Sequence, residues 1–132
     1  MQHWMQHALG YPDTRNEHDD TIIILLDPDQ ILTRAFTNDF THSSEKWRLK
    51  DGYQLKVEHG SPFAAQYGYG LQWKRKVNME NVFQGHSPAA DMTDKEAMDY
   101  YYGMGPPYLA TGKDMYTLVT RWAEIVPRVH DD

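Results

Sequence analysis

The chain has 132 residues, room for one ordinary domain, and its 40% hydrophobic and 24% charged residues fit a globular protein better than a disordered one. A formal charge of -6 and a pI near 5.5 argue against a nucleic-acid surface, which needs a basic stripe. With no cysteines, disulfides and zinc–thiolate sites are excluded.

Along the first nine residues, Trp4, Met5, Ala8 and Leu9 recur at helical spacing and predict the tail of an amphipathic helix. Gly10, Tyr11 and Pro12 stop it. His3 and His7 fall four apart on that helix, a spacing able to grip a metal, but no carboxylate accompanies them. Residues 13–20 are a polar loop with an acidic end. Residues 21–26 form an unbroken β-branched and aliphatic run, the pattern of a strand buried on both faces of a parallel or mixed α/β sheet. That run is far shorter than the roughly 20 residues a membrane span takes. Residues 1–5 lack the basic and apolar regions of a signal peptide, so the chain taken alone reads as soluble.

The strand run ends at Asp27-Pro28-Asp29, where a proline removes a ladder donor and the chain must leave the sheet. Residues 36–60 carry a weak pattern of loop with short elements. Residues 60–70, rich in Gly, Ala and Tyr, predict a permissive loop or a short strand. Lys74-Arg75-Lys76 is a short cationic cluster for a solvated face. Thr93 and Glu96 have capping-box spacing, predicting a helix from Asp94 to about Tyr101. Gly103-Met104-Gly105-Pro106-Pro107 reads as a turn or tight loop, and Tyr108-Leu109-Ala110 as a short strand. Thr111 and Asp114 form a second possible capping box. The stripe Met115, Leu118, Val119, Trp122 and Val126 then predicts a core-facing helix that Pro127 closes.

The aspartate pair carries the most chemistry. Ligands of open α/β sheets gather outside the carboxyl ends of strands, and two carboxylates one residue apart at that place can hold a divalent cation. Hard oxygen donors suit magnesium or manganese, which neutralise the diphosphate of a nucleotide-sugar and polarise the leaving group. Asp-Pro-Asp is also an ordinary turn, and the preceding strand brings the two readings roughly level. Haloacid-dehalogenase-type phosphatases share the strand and the Asp-X-Asp, with the first Asp as nucleophile. Here Ile31 departs from their pattern, and Asp91 with Asp94, or Asp131 with Asp132, lack the strand-end setting of their second acidic pair. Tyr67, Tyr69 and Trp73 can wall a base or sugar, with packing the duller alternative. His59 and His86 lie in loops near the expected site, where surface histidine is the commoner outcome. Gly105 permits either a close backbone approach to a ligand or a turn.

The wider wording of the sequence resembles a known group. Ile22-Ile23-Ile24-Leu25-Leu26-Asp27-Pro28-Asp29-Gln30-Ile31-Leu32 is similar to the metal-site strand of the hydroxyproline O-arabinosyltransferase and peptidyl-serine galactosyltransferase family of plants and algae. The stretch His59-Gly60-Ser61-Pro62-Phe63-Ala64-Ala65-Gln66-Tyr67-Gly68-Tyr69 resembles the Gly-X-Pro and Tyr-containing segment that follows. Gly105-Pro106-Pro107-Tyr108-Leu109-Ala110, then Asp114-Met115 and a helix with Trp122 and Pro127, resembles the next block. The order of the three blocks matches, and the likeness covers most of the chain from His7 onward.

The resemblance implies a GT-A fold, Rossmann-like with a mixed sheet, of which residues 1–132 would be a single domain forming the central part. It implies Mn2+ or Mg2+ held by Asp27 and Asp29, a nucleotide-sugar donor of the UDP-sugar kind, and a peptide or glycoprotein acceptor with a hydroxyproline or serine hydroxyl. Tyr67, Tyr69, Gly105, Pro106 and Tyr108 would line the substrate side. Location in the Golgi or endoplasmic-reticulum lumen, behind an upstream membrane anchor, is implied as well. The chain departs from the family in being shorter than a whole GT-A domain and in lacking the early β-α-β segment that holds the nucleoside. Only His130 or Asp131 could stand in for the late residue that often completes the metal set. A fragment or binding module of this fold, inactive alone, is the rival reading.

Overall fold

A computed structural model describes residues 1–13, 16–31, 33, 35, 37–39, 41, 56–66, 70–100 and 104–131 of the chain. Its elements run α1 (Gln2–Ala8), β1 (Ile22–Leu25), β2 (Phe63–Gln66), α2 (Gln72–Lys76), α3 (Met79–Phe83), α4 (Pro88–Asp91), α5 (Asp94–Tyr100), β3 (Met104–Thr111) and α6 (Gly112–Asp131). The class is mixed α/β, with one small antiparallel sheet in the strand order β1-β3-β2. Two compact units are present: residues 1–64 with 106–117, and residues 65–105 with 118–132.

In the first unit β1 lies antiparallel to β3, with Ile22 opposite Thr111 and Leu25 opposite Tyr108. The expectation of a strand buried on both faces is corrected here. All four residues of β1 are only half-buried, and among the described strands β1 sits at the sheet edge. A continuous aliphatic run marks a strand but cannot say how many layers cover it. The fully buried contribution comes instead from β3, where Leu109, Ala110 and Thr111 are sequestered, with Met5 of α1 and Met115 of α6 also buried in this unit.

The turn expected over residues 103–107 is corrected for its described part, 104–107, since β3 begins at Met104 and passes straight through Pro106 and Pro107, while Gly103 lies outside the described residues. Proline is disfavoured in a central strand because it removes a ladder donor. The ladder adapts to that loss: β1 stops at Leu25, and the next residue of β3 toward the proline pair is Pro107, which has no N–H to give. The expected strand at residues 108–110 is present as the second half of β3. The short strand foreseen within residues 60–70 is β2.

The junction between β3 and α6 is tightly drawn. Gly112 donates its N–H to the Thr21 carbonyl at 2.8 Å, Lys113 to the Asp19 carbonyl at 3.3 Å, and Thr21 to the His18 carbonyl at 3.0 Å. Tyr11 packs beside this turn, its ring stacked on Tyr116 at 4.9 Å and 16°. Burial pushes the Tyr11 phenol up to about 12, and the negative charge of Asp19 adds to the rise. As the sequence foresaw, α1 ends before Gly10, which takes the left-handed conformation at φ 74° that glycine adopts without a Cβ penalty.

In the second unit the foreseen helix start at Thr93 is realised in full. Thr93 donates its backbone N–H to Glu96 at 2.9 Å, and Glu96 donates its own N–H to the Thr93 hydroxyl at 3.2 Å. The bond from the Thr93 backbone, then that from its hydroxyl, holds the Glu96 carboxyl below its usual range. Asn78 caps α3 by accepting from the N–H groups of Glu80 and Asn81.

Two expectations for the last helix need correction. Pro127 does not close it, for α6 continues to Asp131, and the guanidinium of Arg128 donates to the Val82 carbonyl at 3.0 Å, anchoring the turn beyond the proline. Nor is the whole stripe core. Met115 and Val119 are buried, but Leu118, Trp122 and Val126 stay 39%, 41% and 48% exposed. Helical periodicity identifies an apolar face and not what covers it.

Candidate functional site

Asp27, Pro28 and Asp29 form an exposed turn directly after β1. The turn is closed by the Gln30 N–H, which donates to the Asp27 carbonyl at 3.0 Å, with Pro28 in the position that suits its fixed φ. This is the ordinary-turn geometry that competes with the metal reading, and the two are compatible, since a turn is also how two carboxylates are presented beyond a strand. The Gln30 side chain adds a second layer. Its Oε1 accepts the Asp27 N–H at 3.0 Å, and its Nε2 donates to the Pro106 carbonyl at 3.2 Å.

The register places β3 beside this turn. Because Leu25 faces Tyr108 and the strands are antiparallel, the Asp27 end of β1 adjoins the Pro106–Tyr108 part of β3. Pro106 and Tyr108 are half-buried and Gly105 is buried. Tyr67 and Tyr69 lie outside the described residues. Trp73 is on α2 and half-buried. Trp122, expected within the core-facing stripe, is instead exposed to 41% on α6.

Among the described residues no group of three or more His, Asp or Glu side chains converges to hold a metal. The donor set at this turn is thus the aspartate pair itself. Such a set fits magnesium or manganese in one circumstance, when substrate phosphates and waters complete the shell, because these ions commonly take only one or two protein carboxylates. It does not fit a closed structural site. His3 and His7 do come together, with ring centroids 4.1 Å apart and the rings tilted by 50°, and no acidic group among the described residues joins them in a metal-binding set.

The opposite end of β3 carries a polar cluster that sequence spacing did not assemble. Asp114 Oδ2 accepts the Thr111 hydroxyl at 2.9 Å and the Gly60 N–H at 2.7 Å, while Oδ1 pairs with His59 Nδ1 at 2.9 Å. The Thr111–Asp114 half was legible as a capping box; the His59–Gly60 half was not, because it joins segments far apart in the chain. Thr111 and Tyr108 are three residues apart on one strand, roughly 10 Å at 3.4 Å per residue, so this cluster and the aspartate turn are separate places.

The remaining candidates are held in structural pairs. His86 Nε2 meets Asp91 Oδ2 at 2.7 Å on an exposed surface. Lys74 Nζ donates to Asp94 at 2.9 Å and also to the Met92 carbonyl. The hydrogen bond from Lys74, then its charge, holds the Asp94 carboxyl below the usual carboxylate range. The cationic cluster is thereby partly spent within its own unit. Among the described residues no helix is long and apolar enough to cross a membrane.

Comparison with known proteins adds no relative: no protein-family model matches the chain, and neither does any curated protein or solved structure.

Proposed function

We propose that this chain is part of a metal-dependent, GT-A-type glycosyltransferase that moves a sugar from a nucleotide-sugar to a hydroxyproline or serine hydroxyl of secreted or cell-wall-type glycoproteins, in the Golgi or endoplasmic-reticulum lumen. The observation that carries this reading is the exposed Asp27-Pro28-Asp29 turn directly after β1, with the Pro106–Tyr108 part of β3 alongside. The resemblance of the three sequence blocks supplies the reaction class.

Asp27 and Asp29 would hold Mn2+ or Mg2+ together with the donor diphosphate. A divalent ion supplies Lewis-acid stabilisation to the departing nucleoside diphosphate when bound. The two carboxylates orient that charge at the strand end, and the Pro28 ring limits the turn's freedom around them. Pro106 and Tyr108, with Gly105, would bound the substrate side, where rigid backbone and an aromatic face suit a sugar. Tyr67 and Tyr69 belong to the same substrate reading through the resemblance.

The test is calorimetric titration of UDP and UDP-galactose with and without Mn2+. Asp27→Ala and Asp29→Ala should each abolish the Mn2+-dependent heat. Unchanged Mn2+-dependent binding in either variant would remove the reading.

A further inference from the structure

We propose that Gln30 is the positioning residue of the aspartate pair, a strut that fixes the Asp27–Asp29 turn against β3 so that both carboxylates face one divalent ion and its diphosphate. This inference rests on the metal-site reading and adds a residue to it.

The need for a strut follows from the strand that β1 leans on. An antiparallel ladder holds a strand end by alternating N–H and C=O exchanges. Past the Leu25–Tyr108 pair, β3 offers Pro107 and then Pro106, and neither has an N–H. The two-way exchange of backbone hydrogen bonds therefore cannot continue to the point where the aspartates stand, because β3 can only accept there.

A primary amide carries a donor and an acceptor on one planar head, and here it uses both. Gln30 Oε1 takes the Asp27 N–H at 3.0 Å, Nε2 gives to the Pro106 carbonyl at 3.2 Å, and the residue's own N–H closes the turn at 3.0 Å. One residue thereby fixes the metal-bearing turn from inside and ties it to the neighbouring strand. A glutamate would keep the acceptor and lose the donor. A lysine would do the reverse.

The consequence falls on metal affinity. Mn2+ and Mg2+ hold near-octahedral shells with short bonds, so a carboxylate that swings is a poorer ligand than one that is fixed. Partners that orient the ligands of a metal are typically worth roughly 10- to 100-fold in affinity.

The experiment is a Mn2+ titration of the whole chain, read by the electron paramagnetic resonance signal of free Mn2+, with and without inorganic pyrophosphate. Wild type, Asp27→Ala, Gln30→Met and Gln30→Asn are compared, each with a thermal melt by circular dichroism. Gln30→Met keeps side-chain length without either hydrogen bond. Gln30→Asn keeps the amide but is a methylene too short to reach both partners, and it serves if the Met variant folds poorly. The expected result is pyrophosphate-dependent Mn2+ binding that Asp27→Ala abolishes and that the Gln30 variants weaken tenfold or more. Their melting midpoints stay close to wild type, and the bound-ion spectrum is altered, which a merely structural residue would not produce. Wild-type affinity and spectrum in a folded Gln30 variant, with Asp27→Ala still inactive, would overturn the strut and leave the metal site standing. Binding that is absent in wild type or indifferent to Asp27→Ala would overturn the site reading and the strut with it.

Discussion

Replacing Gly112 with alanine should destabilise the protein although it puts the best helix former at the start of its longest helix. A Cβ on Gly112 would lie well inside van der Waals contact of both the His18 carbonyl oxygen and the Tyr11 hydroxyl oxygen, and 3.1 Å from the His18 carbonyl carbon. Two of those three atoms are backbone, in a turn pinned by the Thr21 N–H on the His18 carbonyl and by the Gly112 N–H on the Thr21 carbonyl. The third belongs to a buried ring stacked on Tyr116 and has little room to swing. Forcing a methyl into such a place costs about 1–3 kcal/mol, and loosening one backbone hydrogen bond to make room costs about 1 kcal/mol more. The gain from exchanging glycine for alanine in a helix is at most about 1 kcal/mol, and less at the first position. The net expectation is a loss of roughly 1–3 kcal/mol, or about 3–12 °C in melting midpoint for a chain of this size. Urea denaturation followed by circular dichroism measures it, with Lys113→Ala, next door and exposed, as a control expected within about 0.5 kcal/mol of wild type. In a Tyr11→Phe background, where one of the clashing oxygens is gone, the alanine should cost less than in wild type. A Gly112→Ala protein as stable as wild type would refute the close-packed junction.

Three further outcomes can be measured on the same footing. The Tyr11 phenol, raised to about 12 from an ordinary value of 10.0, stays protonated in the folded chain while the unfolded chain ionises. Stability should therefore be unaffected by this group below pH 10 and fall by up to about 2–3 kcal/mol as pH rises from 10 to 12, a slope that Tyr11→Phe flattens in alkaline denaturation curves. Asp114→Ala removes the acceptor of both the Thr111 hydroxyl and the Gly60 N–H, and should cost about 1–3 kcal/mol by urea titration; a cost below 0.5 kcal/mol, taken as about the noise of surface substitutions, would deny it that role. On α6, Met115→Ala should lose about 2–5 kcal/mol because Met115 is fully buried, while Trp122→Ala at 41% exposure should lose distinctly less; equal losses would mean that the exposed face is covered after all.

Local signals were the part of this fold that the sequence disclosed. The Thr93–Glu96 box, the stop at Gly10 and the strand at residues 22–25 each depend on residues a few positions apart, and each appears in the structure. Features that needed a partner were misjudged. Pro106 and Pro107 argue for a turn on local grounds, yet β3 runs through them because its pairing with β1 is made by the residues that follow. Pro127 should end a helix, yet the bond from Arg128 to Val82 holds the extension. In the candidate site the aspartates were visible as a spaced pair after an apolar run. The Gln30 bridge was not read from the sequence, where that residue figured only within the run from Ile22 to Leu32. Its other end, Pro106, could be assigned only once the two strands were known to lie together.

The strand order has a consequence for how the chain is made. The central strand of the sheet is the last of the three in sequence, so β1 and β2 are both complete before the strand that pairs with them exists. During synthesis, which delivers residues from the N-terminus, the aliphatic edge of Ile22–Leu25 must wait through some eighty residues of chain growth for Tyr108–Thr111. Exposed hydrophobic edges are templates for pairing with other chains in that interval. A nascent or truncated product that ends before Met104 would carry two strands with no mate, and it should be recovered as aggregate, whereas chains extended through Thr111 gain the central strand that pairs with both.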